Sequence, residues 1–167
     1  MITILIAALA AQPAASSVYT PLVLDRCTIV EERPEEEGFT RWRCPGHAAI
    51  PLFVSSGEGR FDIDAGLDSG EFEFFSNLNR PAPRVEWRLR GSVPVAIIYR
   101  LVIEPLESTP GSVLIVKTIG RAGRPGCRIA TVDGTLPDAN ALARAAADRA
   151  PRFRCGVDQP EDSVNGV

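Results

Sequence analysis

The chain has 167 residues, enough for a single domain that buries a sizeable core. It carries 18 basic and 21 acidic residues, a formal net charge of −3. Nucleic-acid binders normally carry a basic excess, so we predict no nucleic-acid partner. Lys117 is the only Lys, and we attribute the preference for Arg to coding bias rather than to phosphate recognition.

Residues 1–17 are expected to form a secretory signal peptide. An apolar run over 2–11 is followed by small residues and Pro13, although no Lys or Arg precedes the run. The run is shorter than the roughly 20 residues that cross a bilayer, so no transmembrane segment is expected after its removal. Three triplets with small residues at their first and third positions, ending at Ala10, Ser16 and Ser17, are candidate cleavage sites. The alternative is a buried N-terminal strand or helix. We predict a periplasmic or secreted protein.

A first hairpin is predicted from residues 22–32 and 38–44, around a turn-like acidic segment at 34–37. An even number of cysteines in an exported chain indicates disulfides. The hairpin register places Cys27 opposite Cys44, which leaves Cys127 to pair with Cys155. A zinc site formed by the four cysteines is the alternative, but the chain contains no C-x-x-C pair.

Short strands are predicted at 50–54 and 60–65, and a long segment without strand or helix period follows at 66–83. Loops of this length are usually functional or disordered. The segment contains three aromatic residues that we predict as a binding loop: Phe72, Phe74 and Phe75. The alternative is that one or two of these rings pack against the open edge of the sheet.

Residues 84–103 organise the fold, because apolar residues alternate on both sides of a turn at Gly91 and Ser92. Further strands are predicted at 113–119 and 127–132, and a helix at 137–149 whose apolar face is Ala139, Leu142, Ala143 and Ala146. The expected fold is α+β, mainly antiparallel β-sheet of about seven or eight strands with one C-terminal helix. We expect one domain over 18–157 and a flexible tail over 158–167.

These segments resemble a known group of proteins. The run DRC, RWRCPG and GRFDIDAG, followed by VEWRL, GRPGCRIATVD, NALARAAAD and APRFRC, resembles an uncharacterised family of small exported four-cysteine proteins of alphaproteobacteria. The resemblance covers residues 19–160. It implies a signal peptide and two disulfides, and it supplies no catalytic residues.

Few side chains point to catalysis. His47 is the only histidine and follows a turn, where a solvated loop residue is the usual interpretation. Asp62 and Asp64 are two residues apart on a predicted strand, so they share one face, which we expect to be the solvent face. With Asp68 and Glu73 they match part of a calcium-loop spacing, but Leu67 occupies the position where that loop needs Gly.

The acidic run over 31–37 is predicted to be a solvated turn, with recognition of a cationic partner as the alternative. Without a recognisable catalytic set, we predict an exported, non-enzymatic binding or inhibitor-like module that needs no cofactor or metal. Its partner would be an envelope protein or a foreign protein. The alternatives are an acid-assisted hydrolase that uses Asp62 and Asp64, and a structural envelope protein.

Overall fold

Two sheets and one helix form the molecule in the computed structural model, which describes residues 13–35, 38–73, 77–104 and 111–163. Within these ranges there are ten strands and one α-helix. The strands are β1 (Ala15–Pro21), β2 (Thr28–Arg33), β3 (Phe39–His47), β4 (Ile50–Gly57), β5 (Arg60–Ala65), β6 (Asn79–Arg90), β7 (Val93–Ile103), β8 (Gly111–Thr118), β9 (Arg128–Asp133) and β10 (Glu161–Asp162). The helix is α1 (Ala139–Ala147).

One sheet has six strands in the order β1-β6-β7-β8-β9-β10, and the other has four in the order β2-β3-β4-β5. All pairs are antiparallel except the short parallel pair of β10 with β9. The predicted class, mainly antiparallel sheet with a C-terminal helix, is confirmed. The strand count is higher than expected because two further strands pair with the larger sheet. They are β1, which precedes the first predicted strand, and the two-residue β10.

The predicted central hairpin is confirmed as β6 and β7, which join at Gly91 with Arg90 opposite Val93. Gly91 has a φ of +61°, which a residue without a Cβ adopts readily. The structure corrects the start of this hairpin: β6 begins at Asn79, inside the predicted long loop. Two prolines hid this start, and a register shift between Pro81 and Val85 accommodates them within the pairing.

Two apolar cores lie on opposite faces of the six-stranded sheet. The core between the sheets contains the fully buried side chains Leu52, Val54, Ile63, Val85, Trp87, Ile97, Leu101 and Ile115. The second core lies between that sheet and α1, which contributes Ala139, Ala143, Ala146 and Ala147. These small side chains let the helix lie close to the sheet. Leu142, predicted on the apolar face, is instead exposed.

Both predicted disulfides, Cys27–Cys44 and Cys127–Cys155, are confirmed. Such bonds are typical of an oxidising compartment. The predicted flexible tail begins with ordered residues, because β10 pairs with β9 and Ser163 donates a backbone hydrogen bond to Thr131. In the described ranges, no helix combines the length and the apolar character needed to cross a membrane.

Candidate functional site

A cleft of about 570 Å³ lies where β5, β8 and β9 come together. Three kinds of segment enclose it: strand residues form the floor, the loop after β5 forms one wall, and the chain after α1 forms the other. We call this surface the acidic cleft. Its charged lining residues are Asp62, Asp64, Glu71, Glu73, Asp158, Lys117 and Arg128. Five carboxylates and two cations give it a formal charge of −3.

The floor of the cleft is a buried ion cluster. Lys117 Nζ lies 2.6 Å from Asp62 Oδ1 and 3.2 Å from Asp64 Oδ1. All three side chains are at most 7% exposed. Asp62 and Asp64 share a face because they are two residues apart on β5, as expected. The prediction that this face meets solvent is wrong, because β8 covers it with Lys117.

Each carboxylate of the floor also accepts hydrogen bonds from other groups. The Tyr99 hydroxyl donates to Asp62 at 2.8 Å, and the backbone N–H of Glu73 donates to its other oxygen at 3.2 Å. The Ser69 hydroxyl donates to Asp64 at 2.6 Å. Burial, followed by the negative charge and hydrogen bond of Asp62, raises the pKa of Tyr99 well above its ordinary value. Tyr99 therefore acts as a neutral hydrogen-bond donor.

Lys117 is held in its charged form. Burial alone would lower the pKa of its ammonium group, but the charges of Asp62, Asp64 and Glu73 and the hydrogen bond to Asp62 outweigh burial and raise it. A protonated amine has no lone pair with which to attack a carbonyl group. Lys117 is thus a fixed internal cation rather than a nucleophile.

The wall made by the loop after β5 is tied down at several points. Glu73 forms an ion pair with Arg128, which also contacts Asp162 of β10. At the other side of the loop, Arg41 lies 3.6 Å from Asp68 and donates to the Gly70 carbonyl at 3.3 Å. These contacts order the described part of the loop over the floor.

Gly66 sets the direction of this loop. Its φ is +84°, and a Cβ at this position would lie 2.3 Å from the Gly120 carbonyl oxygen. Only glycine fits both the left-handed backbone and this close approach.

The structure describes one of the three Phe residues predicted to form a binding loop. Phe72 is half-buried and packs edge-to-face on Phe39, with ring centroids 6.0 Å apart, while also lining the acidic cleft. Its ring therefore combines packing on the four-stranded sheet with a place in the cleft wall. Phe74 and Phe75 lie outside the described residues, and their role stays a prediction.

The opposite wall is the chain after α1. Phe153, Gly156, Asp158, Gln159 and Pro160 face the cleft, and the Cys127–Cys155 disulfide connects this segment to the start of β9. Arg154 donates hydrogen bonds to the Asp158 carboxylate, and these bonds lower the pKa of Asp158. The cleft therefore has an aromatic ring on each wall, Phe72 and Phe153.

The remaining candidate residues lie elsewhere. His47 is half-buried at the end of β3, with its ring 5.9 Å from that of Trp87. The calcium-loop set is not assembled around a cation of its own: Asp68 pairs with Arg41, and the Lys117 ammonium lies between the other two aspartates. In the ranges that the structure describes, no three His, Cys, Asp or Glu side chains are placed to hold a metal ion.

In the acidic run 31–37, Glu31 accepts a hydrogen bond from Arg41 at 2.9 Å and pairs with Arg33. This part of the run is therefore bound to the sheet rather than free in solvent. Glu36 and Glu37 lie outside the described residues.

The sequence analysis missed Lys117, Tyr99 and Arg128 as site residues. A signal for Lys117 was present, because a single charged residue interrupts the apolar run VLIVKTI and a buried charge requires a partner. The candidate partners, Asp62 and Asp64, were already evident as a pair on one strand face.

Comparisons with protein-family models, curated proteins and solved structures found no match. The resemblance to exported four-cysteine proteins therefore stays a prediction, and the functional argument depends on the geometry of the chain itself.

Proposed function

We propose that the protein is an exported, non-enzymatic binding module and that the acidic cleft is its main recognition surface. The observation that carries this proposal is the ion cluster on the floor of the cleft. Lys117 is already neutralised by Asp62 and Asp64, and both carboxylates accept further hydrogen bonds. Such a network makes an ordered surface, and it leaves neither aspartate as a free general base. Preorganised surfaces of this kind favour binding because few side chains lose conformational entropy when the ligand binds.

The chemistry of the cleft favours a ligand with a cationic group. Its formal charge is −3, and aromatic rings lie on both walls, where they could flank a guanidinium or ammonium group. Two disulfides and the predicted leader support a periplasmic or secreted location, where the partner would be an envelope protein or a foreign protein.

A pull-down with matched baits tests this proposal. Glu71 lines the cleft, and its side chain takes no part in the hydrogen bonds and ion pairs of the described residues, so Glu71→Arg reverses the charge without breaking the floor. Glu32→Arg makes the same change on the exposed part of β2. Proteins from periplasmic extract that bind the wild-type and Glu32→Arg baits but not Glu71→Arg would support the cleft. Equal capture by all three would contradict it.

A hydrolase that uses Asp62 and Asp64 is the second candidate, because both carboxylates lie at the floor of a cleft large enough for a small substrate. A panel of chromogenic ester, amide and glycoside substrates separates the two proposals. Turnover that Asp64→Asn abolishes, with the native circular-dichroism spectrum retained, would favour the hydrolase. No turnover of any substrate, combined with charge-sensitive capture, would favour the binding module.

A further inference from the structure

A second concave surface lies on the outer face of the six-stranded sheet, beside α1. It encloses about 420 Å³, and the side chains of Ile98 and Leu114 form part of its lining. We call it the basic groove, after its charged lining residues Arg84, Arg100, Arg144 and Glu86.

The strand period explains why these residues meet. On β6, Val85 and Trp87 face the core between the sheets, so Arg84 and Glu86 face outward. Glu86 pairs with Ile98 on β7, and Arg100 is two residues further along the same face. Helix α1 covers the neighbouring part of this face and contributes Arg144 at the edge of the groove.

The groove has a surplus of positive charge. Three guanidinium groups face one carboxylate, which gives a formal charge of +2. Glu86 neutralises Arg144, whose Nε lies 2.7 Å from its Oε1. Arg84 lies over the ring of Tyr19, with its Cζ 5.2 Å from the centroid. Arg100 donates hydrogen bonds to the Ser112 hydroxyl and the Gly134 carbonyl. Among the residues that the structure describes, neither Arg84 nor Arg100 has a carboxylate partner.

The cations are also held in place. Arg144 donates to the Tyr19 hydroxyl at 2.8 Å as well as to Glu86, and Arg100 Nη1 donates at 2.5 Å to the Ser112 hydroxyl. Each guanidinium has five N–H donors, so these contacts leave donors available to a ligand. Planar guanidinium groups match phosphate oxygens in pairs, which a single ammonium group does not.

We propose that the basic groove binds a phosphate monoester. The surplus charge of +2 equals the charge of the dianionic form, which a phosphate monoester approaches at neutral pH. The volume is within the range of small-molecule sites, and Tyr19, Ile98 and Leu114 offer apolar contact to the organic part of the ester. This inference is independent of the acidic cleft, since no residue lines both surfaces.

Titration calorimetry of the disulfide-intact protein with phenyl phosphate tests the proposal. We expect saturable binding, and Arg84→Gln and Arg100→Gln should each weaken it by about tenfold, as loss of a charge-assisted hydrogen bond implies. Arg43→Gln removes the same charge from the exposed face of β3 and should leave the affinity unchanged. Arg84 is exposed, and within the described ranges its side chain stacks on the Tyr19 ring without a hydrogen bond or ion pair. Its replacement should therefore not disturb folding, which the thermal midpoint checks.

Two further titrations identify the ligand chemistry. Lowering the pH from about 8 to about 5 protonates the monoester and should weaken its binding, whereas sulfate stays doubly charged and should bind equally at both values. Glu86 remains ionised over this range, because hydrogen bonds from Arg144, Ser17 and Tyr19 outweigh its burial and lower its pKa. Equal weakening of sulfate binding would overturn the assignment to a dianion.

The phosphate group could belong to a soluble ester or to a lipid headgroup, and sedimentation distinguishes these sources. Vesicles of phosphatidylcholine with added phosphatidic acid would pull down the wild-type protein but not Arg84→Gln if the ligand is a lipid. A soluble ester gives binding in calorimetry and no sedimentation. Absence of saturable phenyl phosphate binding, or an equal loss in Arg43→Gln, would overturn the proposal of a phosphate site.

Discussion

Lys117 shows how one buried charge can organise its surroundings. An ammonium group in a protein interior loses several kcal/mol of hydration, which only close and well-placed anions restore. Asp62 and Asp64 provide them at 2.6 and 3.2 Å, and Glu73 lies 3.8 Å away. The buried charges therefore depend on one another: the aspartates need the Lys117 ammonium group, and Lys117 needs the two carboxylates.

Replacing Lys117 with Met should therefore lower the free energy of unfolding by about 3–5 kcal/mol, because it leaves two buried carboxylates without a cation. Denaturant unfolding monitored by tryptophan fluorescence measures the change. The triple variant Asp62→Asn, Asp64→Asn and Lys117→Met removes all three charges and should recover part of the loss. A single variant as stable as the wild type would show that the cluster is not buried in solution.

Glu86 gives a second prediction, for acid stability. Its burial raises its pKa, but hydrogen bonds from Arg144, Ser17 and Tyr19 and the charge of Arg144 together lower the pKa below the ordinary value of 4.5. A carboxyl group with a lowered folded-state pKa contributes stability above its unfolded value, and this contribution is lost as the pH falls through the folded value.

Glu86→Gln should therefore lower the stability near neutral pH by about 2 kcal/mol and flatten the loss of stability below pH 4.5. Unfolding midpoints measured across the acid range test this. Glu32→Gln, at an exposed position of β2, should leave the loss of stability at acid pH as steep as in the wild type. If both variants lost stability equally slowly at acid pH, the ion pair of Glu86 would not be the cause of the acid sensitivity.

At the scale of elements, the chain after α1 depends on the Cys127–Cys155 disulfide for its position. This bond closes a loop with a sequence separation of 28 residues and holds a wall of the acidic cleft against β9. Phe153 packs against the second core and β10 pairs with β9, so the wall is also held at its two ends. Between these ends the hydrogen bonds of the wall are local, such as those of Arg154 with Asp158. Loss of the disulfide should therefore loosen the wall before the sheet.

Replacing Cys127 and Cys155 with Ser should lower the free energy of unfolding by about 3 kcal/mol and speed amide hydrogen exchange over 153–160. The matched double variant Cys27→Ser and Cys44→Ser removes the other disulfide, whose two cysteines have a sequence separation of 17. It should lower the free energy of unfolding without changing amide exchange in that wall. Faster exchange over 153–160 in both double variants would show that the wall follows global stability rather than its own disulfide.

The elements that the sequence predicted well are those whose pattern is local. Alternation around Gly91 gave the central hairpin, the hairpin register gave the pairing of Cys27 with Cys44, and the small apolar residues gave the helix. The start of β6 was missed because prolines normally end a strand, and only its neighbours show that a bulge accommodates them.

The candidate site was less accessible to sequence analysis, because its residues come from distant parts of the chain. Asp62 and Lys117 are 55 residues apart and meet only when β5 and β8, from different sheets, face each other. Strand periodicity shows that two residues share a face, but it does not show what covers that face. Asp62 and Asp64 were therefore predicted as a pair and wrongly predicted as exposed.

For the whole molecule, the mild net charge of −3 conceals two surfaces of opposite sign. The acidic cleft carries a formal charge of −3 and the basic groove one of +2, and no lining residue is shared between them. A chain-wide count averages such surfaces, whereas a ligand responds to the field of the surface that it meets. The two proposed sites can therefore be tested independently by charge reversal.

The N-terminal strand bears on how the predicted signal peptide is removed. β1 starts at Ala15, inside the predicted leader, and pairs with β6 along its whole length, from Ala15 opposite Arg90 to Pro21 opposite Arg84. Ser17 donates a hydrogen bond to Glu86 at 2.6 Å, so the first half of β1 also holds the buried carboxylate of the basic groove.

Of the three candidate cleavage sites, only the one after Ala10 leaves β1 intact. Cleavage after Ser16 or Ser17 would remove paired residues and leave the outer edge of β6 partly open to association. We therefore expect the mature chain to begin at Ala11, which the intact mass of the protein from the periplasm measures directly. A mature chain that begins at Ser17 or Val18 would contradict the role of β1, and a full-length chain in the cytoplasm would contradict export itself.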